Sequence, residues 1–528
     1  MIRTLLSVAL WASSSLAVDD VVDVGYASYR GQELENGLSQ WLGLRYAAAP
    51  VGDLRFMPPQ DPEVHDEIQP ADKVGLSCLG TNKLPTLNTT SEDCLFMNIM
   101  APTNATCSSN LPVFFYIQGG GFNSNSNPNV NGTGIIDAAD RDLVVVTINY
   151  RVGPYGFLTN KDQVTPNNGL RDQVKALEWV QAHISKFGGN PNHVVVGGTS
   201  AGAASVIFHL TANNGSDSGL FHGAISESAS LAGLLTVKES QYQYNNFATR
   251  LGCTGKDSLE CLRNKTALEI QEENFNIPLP GGSKPPAYQW LPVLDYDFIN
   301  DYTYHALTEG KFIKVPTIFG DDTNGGTVFT PKNASTQAES NQFILDAYPT
   351  ISPEMFGEIN DLYPNPNKTC PNNGCFWRQT SNTYQEIRYM CPALYANSVY
   401  APFAKSWAYR WNVEDPAQIA QGLGVPHTSE LEALIGAEYT DEEPKSYKIG
   451  QKNRPATHVI QRYWTSFMRT LDPNTFRQEG AVEWTSWGKD NQARVVMNTG
   501  GKTNMEDIDE GLRERCEYWY KHSMEMNL

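Results

Sequence analysis

VVVGGTSAGAAS, residues 194–205, decides how the rest of the chain is read. An apolar, β-branched run ends in Gly198-Thr199-Ser200-Ala201-Gly202, a G-x-S-x-G. Residues Ala203 to Leu210 then continue in helix-compatible sequence. A serine on a sharp strand-to-helix turn needs small flanking residues, because side chains there would collide with neighbouring backbone. Such a turn lifts the hydroxyl above the sheet edge and aims the Ala201 N–H, at a helix N-terminus, toward a developing oxyanion. Ser200 is therefore the candidate nucleophile.

Upstream, IQGGGF (117–122) follows the apolar run LPVFFYIQ (111–118). Three consecutive glycines let backbone N–H groups come close to a ligand, and Gly120 and Gly121 join Ala201 as candidate oxyanion donors. Further strand-like runs are LVVVTINY (143–150), HVVVGG (193–198), GAISES (223–228), VPTIFG (315–320) and SWAYRWN (406–412). Several lack alternation, as strands buried on both faces do. GLRDQVKALEWVQAHISKFGG (169–189) lies between two of them, with Leu170, Val174, Leu177 and Ile184 on one helical face. This alternation predicts an α/β fold: a mostly parallel sheet with helices on both faces. Segments 230–310 and 330–400 read as capping insertions, which makes residues 18–528 one domain. A split near 310 is the alternative.

The 528 residues are 40% hydrophobic and 18% charged, a globular composition with formal net charge −19. That charge disfavours nucleic acid as a partner. The opening MIRTLLSVALWASSSLAVDD has a positive Arg3, an apolar Leu5–Trp11 and a small-residue Ser15-Leu16-Ala17. It reads as a signal peptide over residues 1–17, too short to span a membrane. No later run suggests a membrane anchor. Sequons at Asn88, Asn104, Asn131, Asn214, Asn264, Asn333 and Asn367 predict a glycosylated, secreted protein. Nine cysteines fit that compartment, and spacing alone makes Cys78–Cys94, Cys253–Cys261 and Cys370–Cys375 plausible loops. No CxxC…CxxC or HExxH pattern occurs, so no metal and no cofactor is expected.

Among nine histidines, His209 lies two turns beyond Ser200, His222 precedes a strand, His183 is mid-helix and His522 is near the C-terminus. His427 follows the strand at 406–412 through GLGVPH, after the serine and after the strand at 315–320. It is the candidate base in the order Ser…acid…His.

At this point the chain resembles the type-B carboxylesterases, the cholinesterase-like α/β-hydrolases, and within them secreted fungal esterases and lipases. The likeness rests on GLRYAAAPVGDLRFMPP (43–59), EDCLFMNIMAP (92–102), NYRVGPYGFL (149–158), GLRDQVKALEWV (169–180), FGGNPNHVVVGGTSAGAAS (187–205) and GVPHTSELEALIG (424–436). It covers nearly the whole chain after the leader. The resemblance implies an α/β-hydrolase fold and a serine esterase working through an acyl-enzyme, with His427 as base. It implies cystines Cys78–Cys94, Cys253–Cys261 and Cys391–Cys516, which together with the spacing pair Cys370–Cys375 leave Cys107 over. It also implies ion pairs Arg45–Glu92 and Arg151–Asp172.

The family usually carries a glutamate just before a Gly-x-x-Phe, in the loop after the penultimate strand. GDDTNGGTVF (320–329) has Gly325 in that slot. Either the acid has moved, or the enzyme is weak, or the fold serves binding alone. Glu227, at the tip of the neighbouring strand, is the favoured replacement; Asp321, Asp322 and Glu386 are the others. The expected substrate is a small-molecule or lipid ester. LGTNKLPTLNTTSED (79–93), between Cys78 and Cys94, holds no Trp, and Thr199 replaces the glutamate usual in cholinesterases. Choline esters are therefore disfavoured.

Overall fold

The computed structural model describes residues 18–86, 88–366, 374–440 and 444–528. The expected leader 1–17, Asn367 and Cys370 lie outside them. Eleven strands form one sheet: β1 (Gln32–Glu33), β2 (Leu38–Arg45), β3 (Phe96–Pro102), β4 (Leu111–Ile117), β5 (Val144–Ile148), β6 (Gly189–Thr199), β7 (Gly223–Glu227), β8 (Thr317–Asp322), β9 (Ser406–Asn412), β10 (Ala493–Asn498) and β11 (Lys502–Asp507). Their spatial order is β11-β10-β9-β8-β7-β6-β4-β5-β3-β2-β1. The run from β10 to β5 is parallel, and antiparallel pairs finish both edges.

Both faces of the sheet are covered, and strand alternation divides the apolar side chains between them. Val194, Val196, Phe115 and Ala224 pack with Leu170 and Leu177 of α1 (Asn168–His183) and with Ala203 and Ile207 of α2 (Ala201–Gly215). Val195, Phe114, Ile225 and Ile318 face the other way. They meet Ile460, Trp464 and Phe467 of helix Arg454–Thr470. This two-sided burial is why the central strands read as unbroken apolar runs.

The two insertions hold most of the remaining helices. In the second, α3 (Trp377–Gln385) passes through a π turn at Glu386–Met390 into α4 (Cys391–Tyr400); helix Arg454–Thr470 is hereafter α5. Cystines Cys78–Cys94, Cys253–Cys261 and Cys391–Cys516 are formed, and Cys107 is free and exposed.

Arg151 and Asp172 make the expected buried pair, with Nη2 to Oδ1 at 2.6 Å and Nε to Oδ2 at 2.8 Å. It ties the loop after β5 to α1. The other expected pair is corrected. Arg45 binds Asp93 at 2.6 and 2.7 Å, while Glu92 binds Arg55 with two bonds of 2.6 Å. Glu92 and Asp93 are sequence neighbours that serve different cations. Arg55 also caps the carbonyls of Leu262, Arg263 and Lys265 in the first insertion.

Candidate active site

Ser200 stands between β6 and α2 with φ 58° and ψ −118°, a backbone state that side chains rarely adopt. Neighbouring strands hold it there. Its N–H donates to the Glu227 carbonyl at 2.9 Å, and its carbonyl accepts from Ser230 at 3.0 Å. The flanking glycines are sterically required: a Cβ on Gly202 would lie 2.0 Å from the Ile117 carbonyl oxygen, and one on Gly198 would lie 2.7 Å from it. Such strain persists only where the surroundings over-determine it.

The glycine loop after β4 lies alongside. A Cβ on Gly119 would stand 3.0 Å from Ser200 Cβ. Gly120 and Gly121 have φ 117° and 61°, and among the described residues their N–H groups and that of Ala201 donate to no acceptor. Unpaired amides beside a strained serine form a cradle for negative charge.

His427 is half-buried with both ring nitrogens covered, and its ring is held by packing alone. The ring centroids of Tyr389 and Phe329 lie 4.4 and 5.1 Å away, and neither ring nitrogen has a hydrogen-bond partner. Burial first, and the Arg388 guanidinium second, depress its pKa to about 3. The other histidines serve elsewhere. His209 Nε2 meets Gln173 Oε1 at 2.7 Å between α2 and α1, His222 Nδ1 accepts the Val194 N–H, and His522 meets Glu525.

The four carboxylates considered for the missing acid have distinct surroundings. Glu227 continues the β7 face that carries Ile225, so its side chain turns toward α5. There Oε1 accepts the Trp464 indole N–H, and no hydrogen bond joins it to His427. Burial, then the nearby Glu430, push its pKa well up. Glu386 is used structurally, by Arg515 at 2.8 Å and by the Tyr363 hydroxyl at 2.7 Å. Burial raises Asp321 to about 7, against the pull of Arg494 and Arg410. Asp322 reaches the histidine loop: Oδ2 accepts the Thr428 N–H at 2.7 Å and the Ser228 hydroxyl at 3.0 Å. Its Oδ1 is buried and accepts from no N–H or hydroxyl, and the carboxyl lies against that of Glu430. Burial and Glu430 raise its pKa as well, so Asp322 and Glu430 titrate as a pair. Glu430 in turn accepts the Tyr409 hydroxyl at 2.9 Å. Sequence reasoning missed Glu430, three residues past His427, because only folding brings it against Asp322.

Gly325 itself is open. A Cβ there would meet nothing closer than Tyr389 Cδ2 at 3.8 Å, and then Asp322 O and Gln385 Cγ at 3.9 Å. Among the described residues, no group of three or more His, Cys, Asp or Glu is arranged to hold a metal.

The Carboxylesterase family model matches residues 18–519. The chain belongs to the carboxylesterase family. The crystal structure of Aspergillus niger EstA matches with a TM-score of 0.93 at 41% identity, covering 97% of this chain and 99% of that one. Secreted lipase 4 of Gibberella zeae is 29% identical over 530 residues, 94% of this chain and 92% of the lipase. Para-nitrobenzyl esterase of Bacillus subtilis is 29% identical over 503 residues, 91% of this chain and 95% of that enzyme. This member of the family is a carboxylic ester hydrolase of α/β-hydrolase fold, acting on small-molecule esters. No helix of its described residues is long and apolar enough to cross a membrane.

Proposed function

We propose that the chain is a secreted serine carboxylesterase in which Ser200 is the nucleophile and His427 the general base. Ser200 Oγ attacks the ester carbonyl while His427 takes its proton. The N–H groups of Gly120, Gly121 and Ala201 receive the oxyanion. The alcohol leaves with the proton returned by His427, and water then clears the acyl-enzyme by the same route. The observation that carries this reading is the strained φ of Ser200 beside three unpaired backbone amides. In the free enzyme the histidine makes no bond to the serine; such bonds often tighten only once substrate is bound.

Of the four carboxylates, Asp322 is the one we assign behind His427. Its carboxylate grips the backbone N–H of the very next residue, Thr428, and lies against the carboxyl of Glu430. Glu227, favoured from sequence, gives its Oε1 to Trp464 instead. The pair Asp322–Glu430, sharing one proton, would leave a single negative charge to orient the imidazole and balance imidazolium.

Residues 1–17 act as a leader, and residues 18–528 make one catalytic domain. The asparagines of the six described sequons, Asn88, Asn104, Asn131, Asn214, Asn264 and Asn333, are all exposed, which supports glycosylation. A cleft of about 450 Å³ lined by Phe329, Phe343 and Tyr384 reaches the rings around His427 and is assigned to the apolar part of the ester. The test is steady-state hydrolysis of p-nitrophenyl butyrate by wild type, Ser200→Ala, Glu227→Gln and Asp322→Asn. Ser200→Ala should abolish turnover and labelling by an organophosphonate. Asp322→Asn should lose far more than Glu227→Gln. The reverse order returns the role to Glu227, and equal, unchanged rates mean that neither Glu227 nor Asp322 works behind the imidazole.

A further inference from the structure

Arg388 is a buried cation without a counter-charge. Its side chain projects from the π turn, a helix irregularity frequent at functional sites. It is 4% exposed, and no carboxylate among the described residues lies within ion-pair distance. Its Nε donates to Ser230 Oγ at 2.9 Å, and Nη2 makes no hydrogen bond. Tyrosines surround it: the guanidinium carbon lies 5.7 Å from the ring centroids of both Tyr288 and Tyr384. The hydroxyls of Tyr348 and Tyr389 are buried too, turned toward the guanidinium and toward Ser230 respectively, but neither makes a well-aligned hydrogen bond. A buried charge left unpaired is costly, and a cluster of unmet donors in one place calls for an acceptor.

This cage adjoins the reacting centre. Ser230, which accepts from Arg388, donates its N–H to the carbonyl of Ser200 at 3.0 Å. Tyr288 packs on the oxyanion loop so closely that a Cβ on Gly121 would lie 2.3 Å from its Cδ1. Arg388, Tyr288, Tyr348 and Tyr384 line a cleft of about 50 Å³. One water needs roughly 10–15 Å³ on this measure, so the cleft admits a carboxylate-sized head and no long acyl chain.

We infer that Arg388 and its tyrosines form a subsite for a carboxylate carried by the ester, so that the preferred substrates are anionic esters such as hemiesters of short dicarboxylic acids. The guanidinium fork would take both carboxylate oxygens, with tyrosine hydroxyls completing the shell. This rests on the serine-esterase reading of the same site.

The test compares mono-p-nitrophenyl glutarate, with the charge on the acyl side, and 4-carboxyphenyl butyrate, with the charge on the alcohol side, against neutral p-nitrophenyl butyrate. Wild type should favour one anionic ester by about 10-fold or more in kcat/KM, chiefly through KM, and that arm identifies which side enters the cage. Arg388→Met should erase the ratio, and Arg388→Lys should restore part of it. Should the Arg388 variants fail to fold, competitive inhibition of wild type by glutarate, but not by its dimethyl ester, carries the same information. Equal kcat/KM for all three esters in wild type, with no inhibition by glutarate, overturns the subsite. Turnover by Ser200→Ala would instead overturn the serine reading, so the two failures are distinguishable.

Discussion

Gly325→Glu probes what stands behind His427. The position is receptive: its φ is outside the left-handed region, and the nearest contacts of a new Cβ are at 3.8–3.9 Å. The ring nearest that Cβ, Tyr389, is the one packed 4.4 Å from His427, so a glutamate there would start beside the imidazole's own packing partner. Replacing glycine removes unfolded-state freedom worth about 0.4–1 kcal/mol. Against it stands the burial of a carboxylate, several kcal/mol unless His427 pairs with it. The melting temperature should therefore fall modestly. The informative quantity is kcat on p-nitrophenyl butyrate in a double-mutant square. Asp322→Asn alone should lose about 10²–10⁴-fold, the upper bound being what a known triad loses without its acid, equivalent to about 5.5 kcal/mol. Gly325→Glu alone should change kcat by less than about 10-fold, because the position behind the imidazole is already served. Adding Gly325→Glu to Asp322→Asn should recover much of the loss. A rise of orders of magnitude in the single Gly325→Glu variant would refute the reasoning, since it would mean that the wild type has no working acid.

The pH profile of kcat/KM should show its acid limb well below the ordinary histidine value, because burial and Arg388 hold the His427 pKa near 3 and keep the base form present as pH falls. In Arg388→Met that limb should move upward, as one of the two depressing influences is gone. Asp172→Asn should cost about 3–5 kcal/mol in urea unfolding, because it leaves Arg151, with a side chain 2% exposed, facing a neutral partner. Replacing Cys391 and Cys516 by serine opens a link between positions 125 residues apart and should cost up to about 5 kcal/mol in the same assay.

The elbow and the sheet were legible because each rests on local signals. Gly198 and Gly202 are demanded by one carbonyl of the neighbouring strand, that of Ile117, and the apolar runs by burial on two faces. The ion pair of Arg45 was misread by one residue, because adjacent Glu92 and Asp93 point to different partners and only the fold decides which. The acid was harder still. Glu227 is at the right height on the right strand, yet strand alternation sends its side chain toward Trp464 on α5. Asp322, a lesser candidate in the sequence, moves ahead through a backbone bond to Thr428, more than a hundred positions away. Arg388 and its tyrosines were invisible, since Tyr288, Tyr348 and Tyr384 come from separate stretches of two insertions that carry no motif.

The bridge at Cys391 sits three positions past Arg388 and fastens the end of the π turn to the C-terminal helix through Cys516. The strained serine turn has no such fastening; backbone bonds within the sheet hold it. A chain produced where thiols stay reduced would thus loosen two things at once, because Tyr389 of the same turn is the ring packed 4.4 Å from His427 and Arg388 beside it heads the cage. Its serine would still stand in the strained turn, open to a phosphonate label, while turnover and selectivity fell together. Recombinant material judged only by labelling of the serine would pass as sound.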